Sequence, residues 1–366
     1  MLTALRPVLA VFLVFWLPAA VAQSDIERLM AETGVEPAAT STRDHPRWRE
    51  PRKIVVRDYA GLFEAASASV AGVELVKART LDEAIAAGKG ADAIVGWCSG
   101  AVLDAASDAV WVQFLGAGVE RCVNHGRIRS GDVLLTNMQK MSSPVIAEHV
   151  VAMMLSLSRA LPAYAKKMES GGWLRGPEHT GAMQSYGGRT VLIAGLGGIG
   201  TEVARRAAAL DMRVVGTRRS SREGPDFVAY VGLSDELHAL AAEADFIVNA
   251  LPLTDETTGL FDADFFAAAK RGSYFINVGR GRTVVTADLV AALESGQVAG
   301  AGLDVTDPEP LPPGHALWQM DNVIITPHVS SRGGNRIRHK LLAVENLRRF
   351  IAGEPLLNVV DPAAGY

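Results

Sequence analysis

The sequence predicts an α/β chain built on parallel sheets with helices over both faces. Three observations predict it. Short, wholly apolar runs alternate with longer stretches of helical periodicity through most of the chain, as expected of strands buried on both sides and joined by crossover helices. The stretch TVLIAGLGGIG, residues 190–200, places one such run directly before glycines at G-x-G-x-x-G spacing and a helical continuation. Several later runs end in polar clusters, and ligands of open parallel sheets lie beyond the carboxyl ends of strands.

Residues 190–200 organise the rest. Val191 to Ala194 have no polar face and read as a buried strand. Gly195 permits a tight turn, Gly197 a close approach of a pyrophosphate, and Gly200 helix–strand packing; Gly198 and Ile199 lie between them. The helix that begins there would aim its unpaired N–H groups at the phosphates. A glycine-rich turn that binds nothing is the other reading of the spacing alone. The strand before it and the helix after it favour a dinucleotide site.

The chain has 366 residues, 49% of them apolar, enough for two cores. A net charge of −4 argues against a nucleic-acid partner. The two cysteines, Cys98 and Cys122, match neither a metal site nor a disulfide scaffold. One bridge between them is possible, but two buried free thiols are the favoured expectation.

Residues 1–22 read as a secretory leader: Arg6, an apolar run from Val8 to Leu17, then Pro18 and the small-residue pattern Ala20-Val21-Ala22 before Gln23. The run is too short to span a bilayer, so the mature chain is expected off the membrane, exported and periplasmic. With Met30 as the true start, the protein would instead be cytoplasmic. A leader and a soluble-nucleotide site place opposite demands on the compartment.

Residues 23–52, with Pro37, Pro46 and Pro51 among small and polar residues, suggest a loosely ordered linker. Strands are then expected at Ile54–Val56, Val73–Val76, Ala93–Val95, Trp111–Leu115 and Val133–Leu135, with helices at Leu81–Ala87 and Val102–Ala106. A long apolar-periodic helix should run from Pro144 to about Lys167, with a proline in its first turn and basic residues at its end, long enough to bridge two domains. His149 within it and His179 in the following loop receive no role. After the glycine turn, strands are expected at Arg213–Thr217, Phe227–Val231, Phe246–Ala250, Tyr274–Asn277, Gly300–Asp304 and Val323–Thr326. Helical stretches fall at Asp235–Glu243, Ala263–Lys270 and Arg336–Phe350. Such a series around G-x-G-x-x-G makes a doubly wound nucleotide-binding domain.

Three polar clusters follow strands: Asn277-Val278-Gly279-Arg280-Gly281, Asp304 with Glu309 beyond it, and Thr326-Pro327-His328. A guanidinium can bind a substrate carboxylate bidentately and polarise the neighbouring carbonyl. An imidazole can deliver or remove the proton on that oxygen, and a carboxylate beside the imidazole fixes its tautomer. Singly, Arg280, Glu309 and His328 could be a surface charge, a loop carboxylate and a strand cap. Together, beside a dinucleotide turn, they form a hydride-transfer set.

These segments carry a resemblance. GLGGIG, NALPLTDETTGLF (249–261), INVGRGRTVV (276–285), GLDVTDPEPLP (302–312) and NVIITPHVSS (322–331) stand in the order of the D-isomer-specific 2-hydroxyacid dehydrogenases, which the chain resembles from about Ile54 to Val360. The resemblance implies a Rossmann nucleotide-binding domain, 144–329, inserted into a flavodoxin-like substrate domain, 53–143 and 330–366. It makes Arg280 the group that binds and polarises a 2-keto acid, His328 the acid/base and Glu309 its holder. It places Asp304 near the nicotinamide, and Leu251, Pro252, Thr254 or Thr257, and Val278 along the cofactor. The loop Cys98-Ser99-Gly100 resembles the one whose backbone, at Ser99 and Gly100, receives the substrate carboxylate. A homodimer is implied. Gly279 and Ser330 depart from the commoner residues, while Glu309 separates the chain from the formate dehydrogenases, where that role resembles a glutamine's.

Nicotinamide sites that prefer NAD place an acidic residue about twenty positions past the glycine turn. Here Arg218, Arg219 and Ser220 stand there, a set suited to the 2′-phosphate of NADP. The expectation is an NADP(H)-dependent reductase of a glyoxylate- or hydroxypyruvate-like acid, with NAD the alternative cofactor. The rival functions are a nucleotide-sensing binding protein of this fold and a dehydrogenase of a phosphoglycerate- or phosphonate-type acid. No metal is expected.

Overall fold

The structure, a computed structural model, describes residues 17–363 except 121, 169–170, 174–182, 184 and 335. Residues 1–16 of the expected leader, and His179, lie outside the described residues. The chain forms two compact units, one from residues up to 138 with 336–362, the other from 139–334. The second unit is therefore inserted into the first, with its boundaries at 138/139 and 334/335 rather than at the expected 143/144 and 329/330.

The first unit carries β1 (Lys53–Arg57), β2 (Glu74–Ala78), β3 (Ala93–Val95), β4 (Trp111–Gln113) and β5 (Leu134–Thr136). All pair in parallel, in the order β2-β1-β3-β4-β5, the flavodoxin-like arrangement. Val55, Ile94, Val112 and Leu135 are almost fully buried because helices cover the sheet. The helix Arg336–Ala352 returns the chain here, and its buried Asn346 donates to Gln113 Oε1 at 2.8 Å and accepts from Leu357 N at 2.8 Å.

Two expectations fail in this unit. Residues 23–52 are not a loose linker. Ile26, Leu29 and Val35 are buried, and Ala38 N donates to Leu356 O at 2.8 Å. Arg43 Nη2 donates to Ala352 O at 2.8 Å and Trp48 Nε1 to Phe350 O at 3.1 Å. The segment thus satisfies carbonyls at the end of the C-terminal helix that have no partner within it. The cysteines are not free thiols either. Cys98 and Cys122 form a disulfide with Cα atoms 5.5 Å apart. Cys98 follows β3 and Cys122 follows the neighbouring β4, so strand order brings together two residues whose spacing matches no motif.

The second unit carries β6 (Thr190–Ala194), β7 (Arg213–Thr217), β8 (Tyr230–Gly232), β9 (Phe246–Asn249), β10 (Ser273–Asn277), β11 (Val298–Leu303) and β12 (Val323–Ile325). Their order is β12-β11-β10-β9-β6-β7-β8, all parallel. This is the doubly wound order, with its switch point between β6 and β9. The third strand begins later than expected because Val228 N turns back onto Pro225 O and Phe227 is 37% exposed. The expected single helix is two, Ser143–Ser158 and Leu161–Met168, at 74° to each other. Ala160 adopts φ 53 between them, and Pro162 has no N–H to carry the first helix onward. Rather than bridging the units, Ser143–Ser158 buries Ala147, Val150, Met153, Met154 and Leu157 in the second unit's core with Val191, Phe246 and Ile276.

Tyr186 stacks on Phe246 (ring centroids 5.2 Å), and Phe246 on Tyr274. Burial pushes the Tyr186 phenol up to about 12, against a hydrogen bond from Ser158 that lowers it. The unfolded chain loses this proton near pH 10 and the folded chain near 12. The contribution, about 2–3 kcal/mol, is therefore complete below pH 10 and lost as pH rises through 12. Thermal melts from pH 9 to 12 should fall less steeply for Tyr186→Phe than for the parent; parallel slopes would contradict this.

Candidate active site

The glycine turn leaves β6 at its carboxyl end. Gly195 adopts φ 93, and a Cβ on Gly200 would collide with the Gly195 carbonyl oxygen, so the helix Gly198–Ala208 lies tight against the strand. Gly198 is similarly closed, a Cβ there lying 2.9 Å from Ser143 Oγ. A Cβ on Gly197 would meet nothing within 4 Å, and no side chain caps the helix that starts after it. Open space before uncapped N–H groups fits a pyrophosphate. Beyond β7, Arg218 N donates to Gly232 O at 3.0 Å, and the buried Arg218 Nε has no hydrogen-bond partner. Arg219 and Ser220 beside it are exposed. A buried donor without an acceptor is rare unless a ligand supplies one, so these residues fit a phosphorylated ribose.

After β9, Leu251 and Pro252 are half-buried. Thr257 Oγ1 donates to Pro252 O at 2.7 Å and accepts from Thr254 N at 2.8 Å. Its hydroxyl shapes this loop from within.

Arg280, Asp304 and His328 follow three adjacent strands whose last residues are in register, Asn277 opposite Leu303 and Leu303 opposite Ile325. The Arg280 turn is held by buried amides and a hydroxyl. Asn249 Nδ2 donates to Asn277 Oδ1 at 2.9 Å and to Thr283 Oγ1 at 2.7 Å. Thr283 Oγ1 and Asn277 Nδ2 in turn donate to Arg280 O, at 2.6 and 3.2 Å. Val278 is buried beneath the turn. A Cβ on Gly281 would collide with Thr306 O, so the backbone that presents Arg280 packs directly on the segment leading to Glu309. The half-buried Arg280 donates through Nη1 to Gly279 O at 2.8 Å.

His328 Nδ1 lies 2.8 Å from Glu309 Oε1, both side chains being about half exposed. An ionised carboxylate only accepts, so Nδ1 carries the proton and Nε2 is the nitrogen left to face a substrate. Asp304, expected beside the cofactor, turns both oxygens onto the chain itself. Oδ1 accepts from Thr326 Oγ1 at 2.6 Å and Val329 N at 2.9 Å, and Oδ2 from Ser330 N at 3.0 Å. It is 1% exposed. Burial alone would raise its carboxyl; hydrogen bonds from Ser330, Thr326 and Val329 outweigh this and hold it below the usual carboxylate range.

Residues 151–330 match the family model "D-isomer specific 2-hydroxyacid dehydrogenase, NAD binding domain". A glyoxylate/hydroxypyruvate reductase B from Escherichia coli O9:H4 is 34% identical over 63% of this chain and 71% of its own length. The chain belongs to the D-isomer-specific 2-hydroxyacid dehydrogenases. A glyoxylate reductase/hydroxypyruvate reductase of Mus musculus is 40% identical over 57% of this chain and 64% of that enzyme. A Sinorhizobium meliloti structure, described as an NADPH-dependent glyoxylate/hydroxypyruvate reductase with NADP and sulfate, aligns with TM-score 0.73 and 31% identity over 86% of this chain and all of that one. Family members are nicotinamide-dependent oxidoreductases that act on a CH–OH group, and so is this chain.

Within this dehydrogenase, His328, Glu309, Arg280 and Asp304 share one edge of the second unit's sheet. Ser99 and Gly100 lie in the first unit, after β3, with Ser99 Oγ accepting from Val102 N at the start of the helix Gly100–Ala105. Sequence reasoning missed Asn249, Thr283 and His149. Asn249 had a usable signal, a polar residue ending an otherwise apolar strand. Thr283 and His149 had none apart from their neighbours in space. Gly200→Ala should weaken dinucleotide binding by at least about tenfold, or ~1.4 kcal/mol, as measured by titrating NADPH fluorescence; unchanged affinity would show that the turn does not need this close approach.

Proposed function

We propose that the protein is an NADP(H)-dependent reductase of small 2-keto acids of the glyoxylate or hydroxypyruvate type. The observation that carries this is the pairing of Glu309 with His328, after β11 and β12, with Arg280 after β10, at the same end of the sheet that carries the glycine turn after β6. The named activities of the E. coli, mouse and S. meliloti relatives support the substrate class. The bound nicotinamide supplies the hydride. Arg280 presents a planar fork of donors that grips a carboxylate and polarises the adjacent carbonyl. His328, held through Nδ1 by Glu309, gives the proton to the carbonyl oxygen from Nε2, or takes it in the reverse direction. Arg218, with its unpartnered Nε, and Arg219 and Ser220 favour the 2′-phosphate of NADP over NAD.

Initial rates with glyoxylate and hydroxypyruvate, each with NADPH and NADH, test this. Turnover with NADPH should exceed that with NADH by about tenfold or more, equivalent to ~1.4 kcal/mol, and Arg218→Asp with Arg219→Ala should shift the preference toward NADH. Arg280→Ala should lose most turnover, and His328→Ala should lose turnover while keeping cofactor affinity. Near-normal rates in either single variant would remove the assignment.

We further propose that the chain is exported and works as a homodimer. The leader pattern of residues 1–22 supports export, as does the Cys98–Cys122 disulfide, a bond that persists in oxidising compartments. Leu161 and Met168, 50% and 79% exposed on the helix Leu161–Met168, offer apolar surface for a second copy. Protein recovered from the periplasm should begin at Gln23, carry the disulfide by intact mass and sediment as a dimer; retention in the cytosol with free thiols would count against export.

A further inference from the structure

His149 lies on the helix Ser143–Ser158, within the second unit, and neither the sequence nor the family comparison gives it a task. Its Nε2 is 2.9 Å from Thr326 Oγ1, and that hydroxyl is 2.6 Å from Asp304 Oδ1. The direction of this chain of hydrogen bonds is fixed by chemistry. The Asp304 carboxylate is held in its ionised form and can only accept, so Thr326 donates to it. A hydroxyl has one hydrogen, so Thr326 must accept from His149, and Nε2 must carry a proton. The order is imidazole N–H to hydroxyl to carboxylate.

The carboxylate at the end of this chain grips the turn that presents His328. Oδ1 takes Thr326 on one side of His328 and Val329 N on the other, while Oδ2 takes Ser330 N. The Asp304 carbonyl oxygen accepts His328 N itself at 2.8 Å. The turn needs this grip because His328 adopts φ 53, a left-handed conformation that a non-glycine residue keeps only where its surroundings over-determine it. A hydroxyl is a free rotor. With an N–H fixed on its lone pair, the Thr326 hydrogen points to Asp304; without one, it can turn away.

We propose that His149 is a positioning residue for His328, acting through the Thr326 hydroxyl and the Asp304 carboxylate. The charged group facing His149 Nε2 is Asp304, at 3.9 Å. The adjacent Glu148 is engaged by Arg206. His149 is thus the donor that orients the hydroxyl, and its loss displaces the acid/base rather than the cofactor. This rests on His328 being the acid/base.

The test compares His149→Leu with His149→Gln, whose amide N–H can donate at similar reach. His149→Leu should lower kcat about tenfold, because small displacements of a reacting group cost rate steeply, while KM and NADPH affinity hold. His149→Gln should recover most of that loss. Independently of turnover, the imidazole NMR titration of His328 in cofactor-free protein should move in His149→Leu and return in His149→Gln. Thr326→Val, which removes only the hydroxyl, should reproduce the Leu variant and serves if that variant misfolds. An unchanged kcat and unchanged His328 titration in these variants would overturn the proposal, as would a lowered kcat that glutamine does not rescue while the titration stays put. Full turnover in His328→Ala, together with a His328 titration that still responds to His149→Leu in protein retaining His328, would instead overturn the acid/base reading and leave the His149–His328 coupling standing.

Discussion

The buried carboxylate of Asp304 is the interaction on which the reactive end of the second unit depends. A charge that is 1% exposed is tolerated only when donors replace the water it has lost. Here they come from Thr326, Val329 and Ser330, the residues that flank His328. The cost of burying the charge and the shape of the turn are therefore one problem with one solution. The left-handed backbone of His328 is a consequence, and its side chain is delivered to Glu309 as a result.

A second polar cluster solves the matching problem for the guanidinium. Asn249, Asn277 and Thr283 are essentially fully buried, and their hydrogen bonds end on the Arg280 carbonyl. Polar networks in cores are stable when every member is satisfied, and this one fixes a backbone turn rather than the guanidinium. The main chain that presents Arg280 is thereby held in place. The unit thus rigidifies the turns and leaves the side-chain tips of Arg280, Glu309 and His328 at the surface of the sheet edge.

The parallel sheet explains why these clusters sit where they do. Its central strands are buried on both faces and exchange their backbone hydrogen bonds with neighbours, so functional polar groups gather just past the strand ends. The register of β10, β11 and β12 then aligns three chain segments distant in sequence. In the first unit the same logic places the loops after β3 and β4 side by side, and there it yields a disulfide.

The sequence by itself determined much of this. Apolar runs without a polar face marked nearly every strand, because strands buried on both sides leave no other pattern. The glycine spacing marked the dinucleotide turn, because only glycine fits at Gly195 and Gly200. The order of motifs marked Arg280, Glu309 and His328. What the tertiary structure alone decided were relations across strands and between distant segments. The pairing of Cys98 with Cys122 follows from strand order, which no spacing encodes. The packing of residues 23–52 follows from carbonyls at the end of a helix some three hundred residues away. The break at Ala160 needed a left-handed residue that periodicity does not reveal, since Pro162 alone is compatible with a helix start. Asp304 and His149 looked like a cofactor contact and a bystander. Folding showed the first to hold the His328 turn and set the second against it, because a hydrogen bond depends on distance in space and the sequence records only distance along the chain.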